Sequence, residues 1–337
     1  MKRLQSRDNV IKSTKVLFLF LFLLLFVLSG CLWSKDKPAE GNNPDSTKNE
    51  ANSEERKALL VKDQELVVVY FAASDGKNIV PVTLAIKPSN EAAKIAVEKL
   101  LAGPENDFSQ PTICEGTKLK DLYLQGATAY VDLTEEVLST SEDSAEQTIE
   151  ALVFTLTEFP TVQDVQILIN GQIKEKLGLV DISKPIARPE AINYYGDKPS
   201  DQNIAKIYFS DSNAVYLVPV TMQVDAKNPP LSALKKLVKG PPKESGLVLT
   251  IWQGTKINDF KVEDYVATVD FSTEVLGYGG GSTAEMMLIN SVLYTLTQFP
   301  EIERVQFLID GNKIEFFPEG SDVSSPLMAP SKINFTN

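Results

Sequence analysis

The chain repeats itself. Thr155 to Gln172 reads TLTEFPTVQDVQILINGQ and Thr295 to Asn312 reads TLTQFPEIERVQFLIDGN. Ten of the eighteen aligned positions are identical, so the chain is a tandem of two related units. Each copy closes an amphipathic helix at Phe159-Pro160 or Phe299-Pro300, because proline drives its predecessor out of the helical region. An apolar strand follows, Val165 to Ile169 or Val305 to Ile309. Asn170-Gly171 and Asp310-Gly311 then supply the positive φ angles of a tight turn.

More of each copy aligns upstream. Tyr70-Phe71 matches Tyr208-Phe209, and Val80-Pro81-Val82-Thr83 matches Val218-Pro219-Val220-Thr221, in what reads as a strand hairpin. Proline donates nothing to a ladder, so its strand lies at an edge or carries a bulge. A helix with Ala92, Ala96 and Leu100 on one face ends at Ala102-Gly103-Pro104, and its counterpart, with Leu231, Leu234 and Leu237, ends at Lys239-Gly240-Pro241. Two strands follow, Thr117 to Leu124 and Ala127 to Leu133, matched by Thr255 to Val262 and Tyr265 to Phe271. The final helix carries Ile149, Leu152, Leu156 and Phe159 as its core stripe, matched by Ile289, Val292, Leu296 and Phe299. Ser144-x-x-Gln147 and Ser282-x-x-Glu285 read as capping boxes at its start.

The expected fold is therefore α+β, two tandem copies of a two-layer ββαββαβ domain with two helices on a small sheet. The copies span 65–197 and 198–337, divided at the polar stretch Asp197 to Asp201. The proline-bearing tail Ile182 to Pro189 is too stiff for a central strand and is expected to pack between the copies, making a rigid tandem.

The N-terminal part belongs to neither copy. Lys2, Arg3, Arg7, Lys12 and Lys15 precede an apolar run, Val16 to Leu28, that is too short for a resident span. Leu28-Ser29-Gly30-Cys31 closes it and resembles a bacterial lipobox. Residues 1–31 thus read as a lipoprotein signal peptide and lipobox, with cleavage before Cys31 and diacylglycerol on its sulfur. Residues 32–64, rich in Lys, Asp, Glu, Asn, Ser and Pro, read as a disordered tether. Cleavage leaves 28 basic against 44 acidic side chains, a formal charge of −16. Such a balance argues against nucleic acid and against an anionic membrane face as partners.

Chemistry is restricted too. The chain has no histidine, which removes the imidazole base, ligand and triad member. Cys114 faces Trp252 in the repeat and reads as structural. The carboxylates that recur are Asp132, with Thr134 and Glu136, and Asp270, with Ser272 and Glu274. A hydrolase can use a carboxylate pair, but a strand end followed by a Ser/Thr-capped turn explains the same pattern. Gly279-Gly280-Gly281-Ser282 lacks the Gly-Lys continuation of a phosphate loop. No catalytic residue, cofactor or metal site is expected.

Together the lipobox, the acidic tether and the paired motifs VPVT, A/K-G-P, E/Q-G-T, VD-x-[ST]-x-E, TLT-x-FP and VQ-x-LI-x-G resemble the tandem GerMN-domain family of sporulation and germination lipoproteins. The resemblance implies a Gram-positive spore former and a fold similar to the ring-building motif. It implies a non-enzymatic protein, lipid-anchored on the extracytoplasmic face between mother cell and forespore. There it would support a channel complex through contacts with ring proteins. A peptidoglycan-binding or cortex-hydrolysis accessory role is the alternative from the same resemblance.

Overall fold

β1, Glu65–Ala73, pairs antiparallel with β2, Ile79–Ile86, with Tyr70 opposite Pro81. The Tyr70 amide points away from β2 and donates to Thr155 Oγ1 at 3.1 Å. Pro81 therefore sits where its own nitrogen faces outward, and its ring removes no ladder bond. As expected, β2 is the edge of its sheet. The computed structural model describes residues 64–196 and 203–336. The leader, Cys31, the tether and the division at 197–201 lie outside the described residues.

The first copy continues with α1, Ala92–Ala102, which stops at Gly103 with φ at 79°. β3, Leu119–Gln125, and β4, Thr128–Leu133, form a second hairpin. α2, Glu142–Leu156, then crosses over to β5, Asp164–Ile169, which lies parallel to β4. β6, Ile186–Ala187, closes the sheet in the order β3-β4-β5-β6. The second copy repeats this as β7, Ile204–Ser210, β8, Leu217–Gln223, α3, Pro229–Lys239, β9, Ile257–Glu263, β10, Val266–Phe271, α4, Ser282–Leu296, and β11, Arg304–Ile309. Even the irregularity recurs, a register shift at Leu119/Asp121 and at Ile257/Asp259.

The α+β class and the order of elements are those expected. The helices, however, carry more than one buried stripe: every residue from Ala151 to Leu156 is buried. A helix packed on a single sheet cannot bury such a run. The mixed sheet takes one face and the β1–β2 hairpin, a sheet of its own, takes another.

Three local expectations are corrected. α2 ends at Leu156 and α4 at Leu296, before Phe-Pro, where Thr157 and Thr297 turn their hydroxyls back on Val153 O and Leu293 O at 2.6 and 2.8 Å. Ser144 does not cap α2; Ser141 does, accepting from the Ser144 amide, and Gln147 instead donates to Gly76 O across the hairpin turn. In α4 the cap is Gly281 with no side-chain bond, and Glu285 is fully buried. In both places a tertiary partner outcompetes the local cap.

The copies do not meet as separate beads. Both fall in one compact unit, Lys62–Asn337. Tyr216 and Val218 of the second copy belong to the first core, and Tyr195 of the first packs against the second. Ile182–Pro189 supplies only part of the interdomain packing: Ile186 and Ala187 lie against their own sheet as β6, paired with Val165 and Asp164, while Arg188 lines a cleft with Lys206 and Tyr208 of the second copy. The few residues after it go between the copies.

Candidate functional site

The repeated signature residues lie at strand ends and turns, and the structure gives each a structural partner. Asp132 Oδ1 accepts the Gly171 amide at 2.8 Å, and Asp270 Oδ1 accepts the Gly311 amide at 2.9 Å. Each carboxylate thereby ties the end of one central strand to the turn after its parallel neighbour. Asn170 and Asp310 in those turns take φ of 52° and 46°, the left-handed values their residue types tolerate. Thr134 and Ser272 stand at the cap position of a short 3₁₀ turn but make no cap bond. Their hydroxyls accept the Lys118 and Lys256 amides at 3.0 and 2.9 Å and pin the irregular strand. Glu136 and Glu274 are exposed; hydrogen bonds from the Thr134 and Ser272 hydroxyls hold their carboxyls below the usual range.

The other shared motifs resolve in the same way. The first Thr of each TLT, Thr155 or Thr295, is buried and accepts the hairpin amide of Tyr70 or Tyr208. Phe159 and Phe299 pack half-buried on the cores, while Pro160 and Pro300 are exposed beyond them. The Gln of VQ-x-LI, Gln166 or Gln306, is buried and donates to Ile182 O or Val323 O, fixing the tail. Thr117 and Thr255 close a turn on Cys114 O and Trp252 O, confirming that Cys114 and Trp252 are equivalent positions. Cys114 Sγ lies 2.9 Å from Glu136 O and is a free, half-buried thiol. Among the described residues no group of three or more Cys, Asp and Glu side chains converges as a metal site.

We predict that Asp132→Ala and Asp270→Ala each lower stability by about 1–2 kcal/mol, the cost of stranding the turn amide, and leave function intact in the folded protein. Urea denaturation measures the first effect and sporulation assays the second. A double variant with an unchanged midpoint that has lost function would place a binding role on the pair.

Sequence reasoning missed the residues that join the copies. Asn193 accepts the Ile79 amide with Oδ1 at 2.7 Å and donates through Nδ2 to Ile79 O and Pro219 O, both at 2.7 Å. Asn334 accepts the Leu217 amide at 2.8 Å and donates to Leu217 O and Pro81 O, both at 2.8 Å. The two sets are images of one another: each asparagine binds the β2-type strand of its own copy and the proline carbonyl of the other. Beside them the Thr221 amide donates to Ile192 O and the Thr83 amide to Ile333 O. The VPVT strand of each copy is therefore edged by the tail of the other, about a local two-fold axis. The only sequence signal was the short echo Ile192-Asn193-Tyr194 and Ile333-Asn334-Phe335.

A cleft of about 180 Å³ opens on that axis. Three pairs of its lining residues are alike, Tyr70 and Tyr208, Pro81 and Pro219, Ile192 and Ile333. The rest break the symmetry. Val68 of the first copy corresponds to Lys206 of the second, and Phe154 corresponds to Tyr294. Glu158 and Arg188 line the first copy's side, where the second has Gln298 and Ala329. Arg188 Nη2 donates to Glu158 Oε1 at 2.6 Å and Tyr70 Oη at 3.0 Å, and Nη1 to Phe154 O and Thr157 Oγ1 at 3.1 and 2.8 Å. Burial, then the charge of Glu158, push the Tyr70 phenol up. Burial, then the charge of Arg188, pull the Lys206 ammonium below its ordinary value.

A family profile described as Germane, sporulation and spore germination, matches residues 68–175 and 206–315, one segment in each copy and together more than half of the chain. The chain belongs to this family. Both Germane segments stop short of the tails that carry Asn193 and Asn334. The chain is similar to the spore germination protein GerM of Bacillus subtilis (strain 168), 27% identical over 346 residues, which span 91% of this chain and 94% of that protein. Its fold matches the solved tandem GerMN domains of the sporulation protein GerM from Bacillus subtilis with a TM-score of 0.63. That match, at 24% identity, covers 81% of this chain and all of the solved one. A sporulation and germination protein with a tandem Germane fold is thus established for the chain.

Proposed function

We propose that the chain is a membrane-anchored, non-enzymatic brace that supports a channel assembly between mother cell and forespore through protein contacts. The observation carrying this reading is the reciprocal tail exchange. It gives the two copies one fixed relative orientation and presents two similar surfaces at a set angle. A brace needs that property, whereas an enzyme would need a converging set of reactive groups. The signature residues shared by the copies are spent on turns, strand ends and tails, which fits an architectural role. The spore germination protein of Bacillus subtilis, similar over most of the chain, supports the cellular setting.

The test is co-purification from sporulating cells. The brace reading expects known channel ring proteins to accompany the full chain. Sedimentation with purified peptidoglycan, and no enrichment of ring proteins, would replace it with a cell-wall module. Anchoring is tested separately at Cys31. Cys31→Ala is expected to abolish labelling by radioactive palmitate and to leave the uncleaved precursor, and labelling that persists would remove the lipobox from the proposal.

A further inference from the structure

We propose that the cleft between the copies binds one small organic carboxylate, of the size of an amino acid or a peptide terminus. This inference does not depend on the brace reading. It starts from where the copies differ, since the residues they share already have structural partners.

Lys206 and Tyr208 alternate on the same face of β7 and both line the cleft. Lys206 is half-buried, and among the described residues no carboxylate lies within 4.0 Å of its ammonium. The nearby carboxylate, Glu158, is held by Arg188 at 2.6 Å. On the second copy the position of Glu158 is Gln298, whose amide is taken up by the backbone of Lys206 at 2.8 and 2.6 Å. Lys206 therefore has a charge and no anion of its own, in a place where water is partly excluded. A half-buried charge of this kind is costly unless a ligand completes it.

The charge balance selects the ligand. Lys206 and Arg188 against Glu158 leave a surplus of one positive charge, which a monoanion neutralises and a dianion overshoots. The terminal donors of Arg188 already serve Phe154 O, Thr157, Tyr70 and Glu158, so no guanidinium fork remains for a phosphate. The point charge of Lys206 and the Tyr208 hydroxyl, which has no protein partner among the described hydrogen bonds, suit a carboxylate. The proline and tyrosine collar accepts a short aliphatic substituent, and 180 Å³ limits it to a small one.

The experiment is isothermal titration calorimetry on the full chain solubilised in detergent, with N-acetylalanine, N-acetylalaninamide and inorganic phosphate as probes. N-acetylalanine is expected to bind saturably and the amide not at all. Lys206→Met, which restores the apolar character of Val68, is expected to weaken binding by about tenfold or more, and Lys206→Arg to retain it. Should the methionine variant fold poorly by circular dichroism, Tyr208→Phe gives the same comparison with a smaller loss. Equal binding of acid and amide, tighter binding of phosphate, an unaffected Lys206→Met or no binding would each overturn the proposal.

Discussion

Replacing Asn193 or Asn334 by alanine is expected to lower stability by about 3–4 kcal/mol each, from three lost hydrogen bonds at about 1 kcal/mol apiece and a strained backbone. Both residues sit at φ of 50°, where a residue without a short polar side chain is disfavoured. Each removal leaves a strand amide and two carbonyls without their partner, one carbonyl belonging to a proline of the other copy. Asn193→Gly separates the contributions, because glycine accepts the backbone angle and removes only the hydrogen bonds. Since both asparagines edge the same interface, the double variant will not be additive. Urea denaturation reads the stability. Small-angle scattering of the double variant should demand a broad range of distances between the copies, where the native chain fits one. A double variant with native midpoint and native scattering would show that the exchange does not hold the tandem, and the brace reading would lose its support.

The sequence made the repeat legible because Thr155 to Gln172 and Thr295 to Asn312 are local and nearly continuous. Strand alternation, Gly-Pro helix stops and the Asn-Gly turn are likewise local, so the α+β order could be read directly. Contacts between distant residues could not. Asn334 and Pro81 are 253 positions apart, and no period or propensity links them. The proline in VPVT correctly pointed to an edge strand, yet gave no sign that the tail of the other copy covers that edge. Capping boxes failed for a related reason: Gln147 and Glu285 have the right spacing for a local bond, and each has a stronger tertiary partner. Nothing local marks Lys206, one residue of an alternating strand. Only the cleft formed across the axis makes its position unusual.

Glu285 is the site of the second large effect. Its side chain is fully buried, and its carboxylate accepts the Tyr278 hydroxyl at 2.5 Å and the Glu319 and Ser321 amides at 2.7 and 2.9 Å. The first copy has Ala145 here, with Gly178 so close that an added Cβ would come within 2.6 Å of the alanine. Between Phe317 and Val323 the second copy has one residue more than between Leu177 and Ile182, and Glu285 binds the amides of that longer loop. Burial alone would raise its carboxyl, but the bonds from Ser321, Tyr278 and the Glu319 amide outweigh it and hold it below the ordinary carboxyl range. A depressed carboxyl stabilises the fold above the ordinary value and loses that contribution as pH falls through the folded one. Glu285→Ala is expected to cost about 3–5 kcal/mol, because three part-buried donors, one hydroxyl and two amides, lose a charged acceptor. Glu285→Gln, which keeps the shape and cannot titrate, should lose less stability than the native chain as pH falls from about 5 through and below the ordinary glutamate value of about 4.3. Urea midpoints across that window give the comparison. Parallel curves for the native and glutamine chains would mean that the carboxylate is not charged in its loop, and the loop would then be held by packing alone.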